Sequence, residues 1–130
     1  MTETLAPVLR VQDADAAIRW YERLGFNMDF QHSAESSKSP ATPPATTAVV
    51  KRGELVLVLS NSENDAPRSA AVVYLRVTDI APIADEFKAS IQTIQGGALI
   101  GRQIELNDPD GNRIRVSEFA PAPKVSLHFT

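Results

Sequence analysis

The pentapeptide LRVQD at residues 9–13 recurs as LRVTD at residues 75–79, and this repetition decides the fold. Each copy ends an extended apolar run, and each is followed by apolar residues at helical spacing. Such a change, from an extended apolar run to apolar residues repeating every 3.6 positions, indicates a strand that leads into an amphipathic helix. Self-similarity at a fixed offset is the signature of a duplicated structural unit. The sequence therefore predicts the same strand–helix unit twice.

Both predicted helices carry start and stop signals. Asp13 and Asp79 are expected as N-caps, because an aspartate carboxylate can accept hydrogen bonds from the first N–H groups of a helix. Gly25 is expected to end the first helix, and Pro82 falls in the first turn of the second, where its missing N–H does little harm. The apolar stripes are Ala14, Ala17, Ile18, Tyr21 and Leu24, and then Ile80, Ile83, Ala84, Phe87 and Ile91.

Three strand-like segments follow each helix. They are predicted at residues 27–32, 48–51 and 54–60, and again at 91–94, 102–107 and 113–119. Tight turns join the last two strands of each set, at residues 52–53 and at the DPDGN segment 108–112, where proline presets φ and glycine accepts a positive φ. The predicted fold class is α+β, with two βαβββ repeats and mostly antiparallel sheets. Residues 1–130 form one domain, with repeat one at about 5–61 and repeat two at about 70–119.

Three segments lie outside this pattern, and one of them, residues 62–69, is expected to link the two repeats. Residues 33–47 (SAESSKSPATPPATT) are rich in Ser, Pro, Thr and Ala, so we expect a mobile loop without a core of its own. Residues 120–123 (APAP) form an expected stiff spacer that leads to the tail 124–130. Apolar residues alternate in that tail, which is expected either to add a strand or to pack on a partner subunit.

Composition excludes several classes of protein. Apolar residues make up 43% of the chain, which suffices for a core, and the net charge of −3 argues against nucleic-acid binding. The absence of cysteine excludes disulfides, thiolate metal sites and cysteine nucleophiles. No apolar run approaches the ~18 residues of a membrane span. The N-terminus lacks the apolar segment of a signal peptide, so we expect a cytoplasmic protein.

The motifs together resemble the vicinal-oxygen-chelate superfamily, which includes glyoxalases, bleomycin resistance proteins and dioxygenases. The resemblance rests on the repeated strand–Asp–helix unit, on Trp20-Tyr21 before Leu24-Gly25-Phe26, and on DPDGN before a last strand. Within the superfamily the bleomycin-binding resistance proteins are most similar, at residues 6–9, 23–26, 29–30, 60 and 101–102. The resemblance implies a cup-shaped sheet, a homodimer, and clefts at the subunit interface where a drug is sequestered without chemical change.

The resemblance also implies where the enzymes of the superfamily hold a divalent metal. The matching positions here are Ala6, Val72 and Arg115, with a fourth in the apolar stretch 56–59. None offers a lone pair to a metal, which needs several N or O donors. His32 and His128 are expected to be surface residues. The sequence therefore predicts a non-catalytic protein without metal or cofactor, and a metal-dependent lyase, dioxygenase or thiol transferase is the alternative.

Family positions supply the candidate ligand-binding residues. Strand alternation is expected to turn Val72, Tyr74 and Arg76 toward the cup, together with Arg115 of the last strand. Phe30 and Tyr74 would offer stacking surfaces, and Asp29 a charge for a cationic ligand. A role without a ligand stays open for three of these residues. Phe30 would then be an ordinary core residue, Asp29 a solvated charge, and Ser60 a hydroxyl at a strand end. Arg115 favours an anionic or carbonyl-rich ligand, and Ile100 stands where the bleomycin binders carry tryptophan. The full set is Asp29, Phe30, Ser60, Tyr74, Ile100, Gly101 and Arg115.

The predicted function is the binding and sequestration of a small planar or aromatic molecule. The resemblance implies a bleomycin-type antibiotic and hence a role in resistance. Besides the metal-dependent enzyme, a protein with an interaction or regulatory role and no small ligand stays open, because Ile100 and Arg115 alter the known site.

Overall fold

A computed structural model of the chain describes residues 3–33, 45–63, 66–96 and 99–121. Two successive βαβββ runs appear, which confirms the predicted α+β fold class. The first run contains β1 (Val8–Arg10), α1 (Ala14–Arg23), β2 (Asn27–Ser33), β3 (Thr46–Arg52) and β4 (Leu55–Ser60). The second contains β5 (Val72–Arg76), α2 (Ala81–Phe87), β6 (Gln92–Gly96), β7 (Leu99–Asn107) and β8 (Arg113–Pro121).

Each run builds one four-stranded mixed sheet. The strand orders are β1-β4-β3-β2 and β5-β8-β7-β6. The parallel pairs are β1 with β4 and β5 with β8, whereas β2 with β3, β3 with β4, and β6 with β7 are antiparallel. The chain divides into two compact units, the first comprising residues 1–71 with 107–112 and the second comprising 72–106 with 113–130. The DPDGN turn thus belongs to the first unit, although β7 and β8 on either side of it belong to the second.

The core of the first unit lies between α1 and one side of its sheet. Helix α1 contacts β2, β3 and β4. Its apolar stripe is buried as predicted, and alternate residues of the strands meet it. Each large apolar side chain buried in this way stabilises the fold by about 1.5–3 kcal/mol relative to exposure. The buried apolar residues of the sheet are Leu9, Ala48, Val50, Leu57 and Leu59.

The predicted ends of α1 are confirmed. The Asp13 carboxylate accepts a hydrogen bond from the Ala16 N–H at 3.2 Å, as an N-cap does. Gly25 follows the helix with a φ of +94°, a conformation that glycine adopts without strain. The Phe26 N–H then donates to the Tyr21 carbonyl at 3.0 Å, which closes the last turn.

The start of α2 differs from the prediction. We expected Asp79 as the N-cap, but that position belongs to Ile80, and the helix begins at Ala81. The Asp79 carboxylate accepts from the Ala81 N–H at 3.0 Å, while the Ile80 N–H donates to Glu118 at 2.8 Å. A carboxylate from β8, distant in sequence, thus takes a share of the capping that the sequence assigned to Asp79.

Strand boundaries also differ from those expected. The predicted loop 33–47 is shorter at both ends, because Ser33 belongs to β2 and Thr46 and Thr47 belong to β3. Ser33 pairs with Thr46, and their hydroxyl oxygens lie 3.0 Å apart, so a polar pair extends the hairpin beyond its apolar part. Residues 34–44 of that loop and the predicted tail strand at 124–130 lie outside the described residues. None of the described helices is long and apolar enough to cross a membrane.

The DPDGN segment is more than a turn, because its polar side chains are buried. Asp108 is 5% exposed and Asn112 is fully buried. The Asp108 carboxylate accepts hydrogen bonds from the Tyr21 hydroxyl at 2.7 Å and from the Asn112 side chain at 2.8 Å. Asn112 also donates to the Arg10 carbonyl and accepts from the Ala71 N–H. The motif thus ties α1, β1 and Ala71 of the first unit to one buried polar cluster.

Candidate functional site

The candidate ligand-binding residues of the strands lie largely on one side of each sheet. Successive side chains of a strand point to opposite sides, and in each sheet the buried apolar side chains take one of them. We call the other side the open face of that sheet. The predicted alternation is confirmed in β5, where Leu75 is buried while Val72, Tyr74 and Arg76 are exposed.

An apolar row crosses the open face of the first unit. Phe30 pairs with Val49, Val49 with Val58, and Val58 with Val8, so one register line joins all four strands. The valines are half-buried, and Phe30 is 58% exposed. A neighbouring line carries polar side chains and can offer hydrogen bonds to a ligand that lies on the valines. Its members are Arg10, Ser60, Thr47 and His32.

Phe30 reaches the open face because β2 is bulged. Met28 pairs with Val50 and Phe30 pairs with the next residue, Val49, so Asp29 is an additional residue in the ladder. A bulge of this kind reverses the alternation beyond it. Met28 therefore shares the side of buried Val50, whereas Phe30 shares the side of Val49. The core position left open for Phe30 is excluded by its exposure, and Asp29 is exposed beside it.

Ser60 lies at the end of β4 and is fully buried. Its hydroxyl oxygen lies 3.2 Å from that of Thr47 and accepts a hydrogen bond from the Ser62 N–H at 3.1 Å. Both contacts hold the hydroxyl within the chain. The structure thus brings Ser60 onto the polar line of the open face, and its contact with a ligand stays a prediction.

Tyr74 and Arg115 form one cluster on the open face of the second unit. They are register partners in β5 and β8. The Arg115 Nη1 donates to the Tyr74 hydroxyl at 2.8 Å, and the guanidinium carbon lies 5.6 Å from the centre of the Tyr74 ring. The Arg115 Nε donates to Glu105 of β7 at 3.0 Å. Hydrogen bonds to Glu105 first, and to Tyr74 second, raise the pKa of Arg115, so the guanidinium stays cationic.

The last two predicted site residues lie in β7. Gly101 pairs with Ile94, and Ile100 pairs with Gln95 in β6. The Ile100 side chain lies outside the described part of the structure. Arg102, next to Gly101, pairs with Glu118 through its Nε, and this hydrogen bond is the main reason why the pKa of Glu118 is lowered.

The sequence did not predict a polar cavity of about 360 Å³ beside the start of α1. It could not be found from a motif, because its lining comes from four separate segments. Two of its polar side chains already serve the chain: Asp13 caps α1, and the Asn61 side chain accepts from the Thr46 N–H at 2.6 Å. The cavity is lined by Gln12, Asp13, Ala14, Asp15, Gln31, Ser33, Thr46 and Asn61.

The side chains at the expected metal positions do not fit a divalent ion. Ala6 ends in a methyl group, Val72 presents an isopropyl group that is 43% exposed, and Arg115 presents a cation. A divalent metal needs several converging oxygen or nitrogen donors. Among the residues that the structure describes, no three Asp, Glu, His or Cys side chains converge in that way. His32 is exposed on β2, and His128 lies outside the described residues.

Comparison with solved structures gives matches over nearly the whole chain. A bleomycin-binding protein crystallised with bleomycin is 26% identical, with a TM-score of 0.58, over 90% of this chain and 98% of that one. A bleomycin resistance determinant encoded on the transposon Tn5 is also 26% identical, with a TM-score of 0.59 and the same coverage. A lactoylglutathione lyase from Agrobacterium tumefaciens shares the fold, with 17% identity and a TM-score of 0.60 over 91% of this chain and 94% of that one.

No curated protein matches the chain in sequence. The family model described as Glyoxalase/Bleomycin resistance protein/Dioxygenase superfamily matches residues 4–116. This range includes both βαβββ runs up to the middle of β8, together with the DPDGN turn. The chain belongs to the glyoxalase/bleomycin resistance protein/dioxygenase superfamily.

Proposed function

We propose that this protein binds and sequesters a small planar or aromatic molecule without a metal and without changing it chemically. One observation carries the proposal: each open face presents an exposed aromatic ring, Phe30 in the first unit and Tyr74 in the second. A soluble protein gains no stability from large exposed rings, whereas a flat ligand gains from stacking on them. The expected metal positions, occupied by Ala6, Val72 and Arg115, support binding over metal-dependent catalysis.

The groups around the rings suit recognition. Ligand sites are mainly apolar, with a few placed polar groups that fix the orientation of the ligand. In the first unit the half-buried Val49 and Val58 extend the apolar surface beside Phe30. In the second unit Arg115 and Glu105 supply a donor and an acceptor beside Tyr74. These features support a binding role for both faces.

A bleomycin-type antibiotic is the first ligand to test. The two structures with 26% identity are a bleomycin-binding protein and a bleomycin resistance determinant. Sequestration of such a drug in the cytoplasm would protect the cell, so resistance is the biological role that we propose. Expression in a susceptible bacterium should then raise the drug concentration that inhibits growth, and the protein should be recovered in the soluble cell fraction.

We also propose that the binding form is a homodimer, as the family resemblance implies. Strand β2 lies at the edge of its sheet, and all of its residues are exposed. An exposed edge strand of this length needs cover or pairing in solution. Light scattering after size-exclusion chromatography should give about 28 kDa, twice the mass of the 14.1 kDa chain, and a value near 14 kDa would contradict the dimer.

Calorimetric titration of EDTA-treated protein with bleomycin and a panel of planar aromatic drugs tests the binding role. We expect at least one saturable ligand, recovered unchanged by mass spectrometry after prolonged incubation. At about 100 times its dissociation constant, that ligand should stabilise the fold by about 2.7 kcal/mol. Conversion of a ligand to product, or binding that appears only after a divalent metal is restored, would favour the metal-dependent enzyme instead.

Three alanine variants test whether the exposed rings form the site. Phe30→Ala and Tyr74→Ala should each weaken the ligand found in that panel, because stacking contributes about 0.5–1.5 kcal/mol beyond buried area. Leu55→Ala is the matched control, because Leu55 is also large, apolar and about half exposed, but lies at the β3–β4 hairpin. Equal affinity in all three variants would show that the rings do not touch the ligand.

A further inference from the structure

Three arginines surround the exposed ring on the open face of the second unit. Arg115 lies across from Tyr74 in β8, Arg113 lies two residues before it, and Arg76 lies two residues after Tyr74 in β5. Strand alternation places all three guanidinium groups on the side of Tyr74. Arg76 and Arg113 are exposed, and the Arg115 side chain is 31% exposed.

Arg115 is held in a fixed orientation. Its Nε and Nη1 groups are engaged by Glu105 and by the Tyr74 hydroxyl, and its guanidinium carbon lies 5.6 Å from the centre of the Tyr74 ring. Its Nη2 nitrogen has no hydrogen-bond acceptor among the residues that the structure describes. A guanidinium fixed in this way loses little conformational entropy when it binds an anion, and its remaining N–H groups can donate charge-assisted hydrogen bonds to a carboxylate or sulfonate oxygen.

Two acidic side chains of β7 and β8 have defined partners. Glu105 of β7 pairs with Arg115 at 3.0 Å. The Glu118 carboxylate of β8 accepts hydrogen bonds from Arg102 and from the Ile80 N–H, so it belongs to the cap of α2. The chain as a whole carries a net charge of −3. The cationic cluster therefore runs against the overall charge, which distinguishes it from a generally basic surface.

We infer that the open face of the second unit binds an aromatic oxyanion, with its carboxylate, sulfonate or phosphate on the Arg115 guanidinium and its ring beside Tyr74. This inference rests on the proposed function and names the class of its ligand. Arg76 and Arg113 add attraction for the anion, and Glu105 keeps Arg115 in place at some cost in that attraction. A cationic planar drug would meet three like charges on this face.

A matched set of naphthyl compounds tests the charge preference. The ring is the same in 2-naphthoate, in neutral 2-naphthamide and in cationic 2-naphthylmethylammonium, so only the charge differs. By calorimetry at neutral pH we expect naphthoate to bind about tenfold or more tighter than naphthamide, and the cation to bind weakest. The preference for naphthoate should shrink as the salt concentration rises from about 0.05 M to 0.5 M, because salt screens exposed charges.

Charge-matched variants identify the groups responsible. Arg115→Gln should lower the affinity for naphthoate at least about fivefold more than the affinity for naphthamide, because only the anion uses the guanidinium charge. Glu105→Gln should raise the affinity for naphthoate. Arg19→Gln removes one positive charge from the exposed surface of α1 and should change neither affinity. If Arg19→Gln weakens naphthoate as much as Arg115→Gln does, long-range charge and not this site is responsible.

The outcomes separate this inference from the proposed function. If planar drugs bind but the three naphthyl compounds bind equally, or the cation binds best, the anion site is wrong and the sequestration role stands. If neither the drug panel nor any naphthyl compound binds, both fail. An anion preference that Arg115→Gln abolishes and Glu105→Gln enhances supports both.

Discussion

Removal of one buried hydroxyl, by Tyr21→Phe, should destabilise the protein clearly. Tyr21 is fully buried, and its hydroxyl donates to Asp108 at 2.7 Å. A hydrogen bond to a charged acceptor contributes about 1.5–3 kcal/mol. The phenylalanine ring retains the edge contacts with Trp20 and Phe26, so no large cavity forms. The lost hydrogen bond therefore accounts for nearly the whole effect.

The expected loss is about 2 kcal/mol, near the lower end of that range. Asp108 keeps three other donors, which are the backbone N–H groups of Asp110 and Asn112 and the Asn112 side chain. The carboxylate therefore stays partly satisfied in the variant. In a chain of this size the loss corresponds to a fall in melting temperature of roughly 6–10 °C.

Urea denaturation followed by circular dichroism measures the loss. Tyr74→Phe is the matched control, because it removes the same hydroxyl from a side chain that is 67% exposed, and it should change stability by less than about 0.5 kcal/mol. Equal stability of Tyr21→Phe and the wild type would refute the anchoring role of the Tyr21–Asp108 hydrogen bond, and so would an equal loss in the two variants.

The stability difference between the wild type and Tyr21→Phe should also depend on pH, and the direction of that change can be derived. Burial first, and the Asp108 carboxylate second, raise the pKa of the Tyr21 hydroxyl above its ordinary value of 10.0. A group with a raised folded-state pKa contributes stability that is complete below its unfolded pKa and is lost as the pH rises through the folded pKa. The stability difference between wild type and Tyr21→Phe should therefore be constant at neutral pH and shrink above about pH 10.

Two further changes test local features. Gly25→Ala should lower the free energy of unfolding by about 1–2 kcal/mol, because a side chain is strained at φ +94° and its Cβ would also overlap the Arg52 guanidinium. Gly53→Ala is the control, because Gly53 has φ +59° but lies in open space, so this variant should lose only the strain energy. Equal losses in urea denaturation would show that Arg52 moves aside freely. Glu118→Gln should make stability depend less on pH in the acid range. The hydrogen bond from Arg102 lowers the pKa of Glu118 from its ordinary value of 4.5, so wild-type stability falls as the pH drops through that region. An unchanged slope of unfolding free energy against pH below pH 5 would contradict this.

The fold could be predicted from sequence because its signals are local and repeated. The duplicated pentapeptide, the N-cap at Asp13 and the stop at Gly25 each act within one turn of a helix, and each is confirmed. The N-cap of α2 was wrong because Glu118, distant in sequence, supplies the carboxylate for the Ile80 N–H. Periodicity shows which residues are apolar, but it does not show which carboxylate reaches a helix end.

The candidate site could be predicted only where strand alternation is regular. Tyr74 and Arg115 were expected on one side of the second sheet, and they are register partners there. Phe30 could not be placed by alternation, because a bulge at Asp29 reverses the faces of β2 and no sequence signal marks that bulge. The engagement of the Ser60 hydroxyl by Thr47 was equally hidden, since it depends on the pairing of β3 with β4.

The two repeats share a backbone plan, but their open faces have diverged. In the alignment of the two repeats, Val8 lies opposite Val58 in the first unit, whereas the matching pair in the second unit is Tyr74 opposite Arg115. The first face is dominated by a row of valines with Phe30, and the second by arginines around a tyrosine. Duplication alone would yield two equivalent surfaces. The two open faces therefore offer a ligand different chemistry, apolar in the first unit and cationic in the second.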